Sequence, residues 1–139
     1  MHPFRSTLLA LIVLAIAGGG HAAEPPAASN DAAKVQPLLT RTLPDVPGKE
    51  AMMLTVEYPP GAASPPHRHN ANTFVYVLEG AVVMQVAGGE EVTVNAGETF
   101  YESPTDVHSV SRNASATRPA RFLVIFVKDE GTPASLPVD

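Results

Sequence analysis

Three histidines carry most of the chemistry this sequence can offer. Two of them close the segment Gly61-Ala-Ala-Ser-Pro-Pro-His67-Arg-His69. In an extended strand, residues two apart face the same side, so His67 and His69 would present neighbouring imidazoles to one face, the geometry of two metal ligands. Pro65-Pro66 stiffens the approach to them. A metal site needs a third ligand from elsewhere, and once an export signal is removed the only other histidine is His108. Imidazole suits iron, copper, nickel and zinc almost equally. A His-x-His pair on a surface strand is usually inert, and what gives this pair weight is that no histidine of the body is spent elsewhere.

The rest of the chain sets limits. Residues 1–23, MHPFRSTLLALIVLAIAGGGHAA, have a basic start at Arg5, an apolar run from Leu8 to Ala17 and a small-residue end. This is the pattern of a cleaved secretory signal, and the run is too short for the roughly 20 residues that span a bilayer. Cleavage after Ala22 or Ala23 would deliver a periplasmic or secreted protein with no membrane partner and would remove His2 and His21. The remaining 116 of the 139 residues suffice for one domain and not for two. The net charge of −5 becomes about −6 when Arg5 leaves, and no basic stripe remains to neutralise phosphates, so nucleic acid is excluded as a partner. There is no cysteine. That removes thiolate metal sites, cysteine nucleophiles and disulfides, although export would permit the last. Residues 24–33 are rich in Pro, Ala and Ser and read as a disordered leader. Residues 131–139 read as a loose tail, leaving a domain over 34–130.

The elements that must position the histidines are strands. Short β-rich runs are punctuated by turn residues every eight to twelve positions. They predict strands at Val35–Leu43, Ala51–Tyr58, Thr73–Leu78, Val82–Ala87, Glu91–Val94, Thr99–Glu102, Val107–Arg112 and Arg121–Lys128. Gly88-Gly89 marks a hairpin. The spacing implies an antiparallel sandwich or barrel, an all-β fold. Phe122-Leu-Val-Ile-Phe-Val127 is apolar on both faces, so both should be covered: one by the barrel interior, the other by the N-terminal strand or by a second subunit, as in a homodimer.

The stretch from Gly61 to Asn113 resembles the cupin superfamily. Its first motif, Gly-x5-His-x-His-x(3 or 4)-Glu-x6-Gly, is met by Gly61, His67, His69 and Gly80, with Thr73 where the Glu should stand. Its second, Gly-x5-Pro-x-Gly-x2-His-x3-Asn, is met by Gly97 and His108. Ser103 and Thr105 replace the Pro and Gly, and Asn113 arrives one residue late. The resemblance implies a single double-sheet β-barrel, a jelly roll, with a divalent transition metal (Fe, Cu, Ni, Mn or Zn) held inside one end by His67, His69 and His108. Thr73 would be a weak substitute for a carboxylate. Three neutral imidazoles would leave the cation its full charge and open positions, as in the three-histidine cupins that activate dioxygen at iron.

Two functions follow from the resemblance. One is a dioxygenase-type oxidoreductase acting on a small organic substrate. The alternative is a non-catalytic module that captures a small molecule, such as a sugar or phenolic, or a metal. Asn72, Tyr76 and Tyr101 are candidates for the pocket or for contacts behind the ligands, although aromatics on strands are more often sheet surface or core. The carboxylates Glu57, Glu102 and Asp106 are expected at the rim or in solvent. Strand alternation from Thr73 turns Val75 and Val77 inward. Alternation from His108 would turn Val110 and Arg112 inward. A buried guanidinium is costly, so Arg112 is expected at the rim or beyond a bulge. Met84 and Phe126 are expected in the core.

Overall fold

The computed structural model describes residues 32–138. The export signal read over residues 1–23 and all but the last two residues of the leader lie outside that range. The described chain folds as eleven antiparallel strands: β1 (Lys34–Thr42), β2 (Lys49–Tyr58), β3 (Ala63–Ser64), β4 (His67–Arg68), β5 (Asn72–Glu79), β6 (Ala81–Val86), β7 (Val92–Asn95), β8 (Thr99–Glu102), β9 (His108–Asn113), β10 (Ala120–Asp129) and β11 (Leu136–Pro137). One sheet has the order β1-β2-β10-β5-β8. The other runs β11-β4-β9-β6-β7, with β3 also on β9. Two sheets facing across a shared interior form the jelly-roll barrel that the resemblance implies, within the antiparallel sandwich-or-barrel class that the strand spacing predicts.

Alternation sets the interior. β10 is the centre of the first sheet, paired with β2 without a slip from Ala120 opposite Tyr58 to Asp129 opposite Lys49. Phe122, Val124 and Phe126 point inward and are buried with Leu54, Val56, Val75, Val77 and Met84. The same alternation carries Lys128 inward, and it is only 2% exposed. An ammonium there must be compensated. Lys128 pairs with Glu50 on β2 and donates to the Thr132 carbonyl.

The N-terminal strand behaves differently from one of the two expectations. β1 pairs with β2 edge to edge and every one of its residues is exposed, so it widens the sheet and, among the described residues, leaves the outer face of β10 uncovered. Pro37 sits at a break in its register, where an edge strand accommodates a residue that lacks an N–H.

The segment after β10 is not loose where it is described. Gly131, at φ +70, turns the chain, and Leu136 and Pro137 then pair with Arg68 and His67. The Gly and Pro content that suggested a tail instead makes the turn that sends this strap back over the barrel mouth.

Candidate metal centre

Two neighbouring strands of the second sheet build the site. β4 pairs with β9 through a single register pair, His67 opposite His108. His69 lies one step past β4, where Asn70 at φ +48 turns the chain towards β5. The ring centroids are 4.7 Å apart for His67 and His69, 5.0 Å for His67 and His108, and 6.4 Å for His69 and His108. One nitrogen of each ring lies within 4.8 Å of the other two.

Hydrogen bonds fix which nitrogens face the centre. His67 Nδ1 donates to the Pro65 carbonyl at 2.8 Å, and His69 Nδ1 donates to the Ala134 carbonyl at 2.6 Å. A carbonyl only accepts, so Nδ1 carries the proton in both rings and Nε2 keeps its lone pair. This is the arrangement by which ligating histidines are oriented. His108 is buried and neither of its ring nitrogens has a hydrogen-bond partner. An orphaned buried imidazole beside two rings of fixed tautomer fits a cation. Burial, with the neighbouring His67 adding to it, pushes His108 down to about 3. Burial likewise pushes His69 down to about 4. Both are therefore neutral, and able to ligate, at ordinary pH.

A fourth group completes the cluster. Glu102 is 2% exposed, which corrects its expected place at the rim. Its Oε1 lies 3.3 Å from His108 Nδ1 and its Oε2 3.7 Å from His69 Nε2. Burial, and next the charge of Asp106, raise its pKa to about 7. The signal for Glu102 lies in the alternation of Thr99-Phe-Tyr-Glu102: with Phe100 turned to the interior, Glu102 follows it. Asp106 accepts from the Ser103 amide at 2.7 Å, and Glu57 meets Lys34 at 3.3 Å, so neither reaches the cluster.

Thr73 is fully buried beside the site, and Val75 and Val77 point inward with it. That parity puts the other candidates outside. Tyr76 is 44% exposed on the outer face. Tyr101 is 49% exposed, and its hydroxyl donates to Asn72 at 2.7 Å. Tyr76, Tyr101 and Asn72 therefore do not join the pocket. Arg112 is exposed and bonds Glu91 at 3.1 Å. Its position follows from a bulge: β6 pairs Gln85 with Val110 but Val86 with His108, so Ser109 is an extra residue. The bulge turns Ser111 and Asn113 inward and places the second-motif Asn one residue late.

The histidines and Glu102 border a cavity of about 830 Å³, within the size range of small-molecule sites. Its walls are mainly apolar, including Leu54, Val56, Met84, Phe122 and Val124. Phe126 packs on His69 with ring centroids 4.8 Å apart. The Tyr58 hydroxyl is shared between Ser64 at 2.6 Å and Ser111 at 2.7 Å.

A double-sheet barrel with a cluster of inward histidines at one end of its cavity defines a β-barrel of the jelly-roll class. The cupin domain model matches residues 54–126, and the chain belongs to that family. Among solved structures, the chain is similar to a conserved protein with a double-stranded β-helix domain from Klebsiella pneumoniae, at 17% identity and TM-score 0.62, covering 79% of this chain and 89% of that one. It is also similar to an oxalate oxidase in complex with the substrate analogue glycolate, at 24% identity and TM-score 0.60, covering 78% of this chain and 56% of that one. A third is the DMSP lyase DddQ from Ruegeria pomeroyi, at 21% identity and TM-score 0.54, covering 62% and 42%. The chain thus spans about half the length of these two enzymes, and the likeness is one of fold. No curated protein matches it in sequence. Among the described residues no helix is long and apolar enough to cross a membrane.

Proposed function

We propose that the protein binds a divalent transition metal through His67, His69 and His108 and oxidises, with dioxygen, a small and largely apolar organic molecule held in the adjoining cavity. The observation that carries this reading is the convergence of three imidazoles, two with Nε2 freed by backbone hydrogen bonds, on a cavity with apolar walls. A bound redox metal would supply the site for a substrate oxygen and for dioxygen. The chain's own residues supply orientation, charge and exclusion of water. The imidazole set does not select one metal, and iron, copper, nickel, manganese and zinc all suit it.

One observation favours a second reading, a binding module without catalysis. The wall hydroxyls of Tyr58, Ser64 and Ser111 satisfy one another. Among the described residues, Glu102 is then the one carboxylate beside the histidines. Export through residues 1–23 to a periplasmic or secreted location belongs to the proposal and rests on the sequence pattern. A homodimer is supported by the uncovered outer face of the first sheet, which carries Phe74, Tyr76, Leu123 and Ile125.

Elemental analysis of untagged protein purified from its native compartment tests the metal. Stoichiometric metal, lost in His67→Ala and in His108→Ala, is the expected result. No metal under any loading condition would sink the reading. Consumption of dioxygen by the loaded protein with small phenolic or other apolar substrates then separates oxidation from capture.

A further inference from the structure

We infer that Glu102 is the carboxylate ligand of this centre, reaching the cation from β8 in place of the acid that the first motif lacks on β5. The inference rests on the three-histidine reading above and adds a fourth protein ligand to it.

The argument begins with register. β5 and β8 are antiparallel neighbours, and Thr73 lies directly opposite Glu102. Directly opposed residues have Cβ atoms about 5 Å apart on the same face of the sheet. Both side chains point inward, where Thr73 is fully buried and Glu102 2% exposed. Thr73 is short, and its hydroxyl reaches only the Ala71 carbonyl, at 3.4 Å. A longer side chain from the opposite rung can therefore occupy the space above it, and that side chain ends in the functional group position 73 would otherwise supply.

The second observation concerns the carboxylate itself. Among the described residues, no amide or side-chain donor hydrogen-bonds either oxygen of Glu102; their polar neighbours are His108 Nδ1 at 3.3 Å and His69 Nε2 at 3.7 Å. Two donors each about 2.1 Å from one cation stand roughly 3–4 Å apart, and His69 Nε2 and Glu102 Oε2 have that separation. His69 Nε2 is also the nitrogen whose lone pair is free, since Nδ1 is committed to Ala134. A buried carboxylate without donors is costly unless a cation meets it. Three imidazoles leave a divalent cation with its whole charge inside an apolar barrel, and one carboxylate halves it.

The test uses the full chain, stripped of metal and loaded with Co(II), whose visible absorption reports the donor set. Affinity comes from competition with a chelator. The variants are Glu102→Gln, Glu102→Ala, and Thr73→Glu combined with Glu102→Ala. Circular dichroism checks that each is folded. Glu102→Gln keeps the shape of the side chain, and should weaken Co(II) binding about 100-fold and alter the absorption bands. The double variant should bind at least tenfold tighter than Glu102→Ala, because the acid returns to the same spot from the opposite rung. Co(II) binding by Glu102→Gln within threefold of the parent overturns the inference. So does weakened binding with unchanged bands, which would make Glu102 a positioning residue that orients His108. A double variant no tighter than Glu102→Ala also overturns it. If the parent chain itself takes up no Co(II), the three-histidine reading falls as well, which separates the two failures.

Discussion

The side-chain amide of Asn113 donates to the carbonyl of Tyr58, 55 residues earlier in the chain, at 3.2 Å. The same amide nitrogen lies 3.0 Å from the Pro59 carbonyl and 2.8 Å from that of Arg118, and its Oδ1 accepts from the Ser115 amide at 2.9 Å. One buried side chain thus joins the end of β2, the end of β9 and the turn into β10. Asn113→Ala leaves several carbonyls and an amide without partners, and should cost about 2–4 kcal/mol. Urea denaturation measures it, and a loss under 0.5 kcal/mol would show that water replaces the amide at no cost.

Acid should destabilise the metal-free protein through its buried imidazoles. Folded His69 and His108 take up protons only near pH 4 and 3, whereas unfolded histidine does so near its ordinary 6.5. Between those values the unfolded chain binds more protons, so stability falls as the pH is lowered from about 6.5 towards 4. Glu102 acts in the opposite sense. Its folded value of about 7 lies above the ordinary 4.5, so its contribution is present below pH 4.5 and is lost as the pH rises towards 7. Two groups outweigh one, and the net effect is weakening in acid. Denaturation midpoints in a chelator at pH 7, 6 and 5 should fall in that order, and His108→Gln should make the decline shallower. A midpoint that rises between pH 7 and 5 in the parent protein would contradict the burial of neutral histidines.

The cavity and the ligand cluster are separable. Val124 lies at the middle of β10 and lines the cavity. Val124→Phe adds bulk to the empty space and should lower the affinity for a small apolar fluorophore about tenfold, a change of about 1.4 kcal/mol. Metal stoichiometry should not change. Parallel fluorescence and elemental measurements check this, and equal fluorophore binding in both proteins would place the apolar ligand elsewhere.

Gly80 marks where the two sheets exchange strands. It has φ +71, and a Cβ there would stand 2.6 Å from the Pro119 carbonyl oxygen and 3.1 Å from Ala120 Cα. Gly97 has φ +89 but open space around it. Gly97→Ala pays the left-handed backbone strain alone, about 1–2 kcal/mol. Gly80→Ala adds a clash with backbone and should cost about 2 kcal/mol more. Thermal melts of the two variants give the comparison, and equal losses would mean that the β5–β6 turn yields freely.

The strands were legible because alternation and turn residues act locally. Thr99–Glu102 has the bounds expected of it, and the other main strands shift by one or two residues. The core faces of β5 and β10 follow from the same rule. The two-residue strands β3, β4 and β11 exist only as partners of β9 or of each other, so no local pattern announces them. Asn72, Tyr76 and Tyr101 are polar or aromatic residues near the motif in sequence but on the far side of the sheet. Glu102 is distant from the first motif in sequence and opposite it in space. Its neighbour Tyr101 shares its strand yet faces solvent, a difference that only parity reveals. The inward turn of Ser111 depends on a bulge set by pairing with β6, which no single segment encodes.

The strap that crosses the barrel mouth gives the metal centre a mechanical partner. Its Ala134 carbonyl holds the His69 tautomer, while the Lys128–Glu50 pair and the Thr132 carbonyl anchor its root. Opening of the strap and release of a cation held by His69 are then linked equilibria, and linkage is reciprocal. Under the proposed metal binding, peeling the strap back would weaken the grip on the cation, and filling the site would shield the strap from proteases. The strap would thereby report the occupancy of the histidine cluster beneath it.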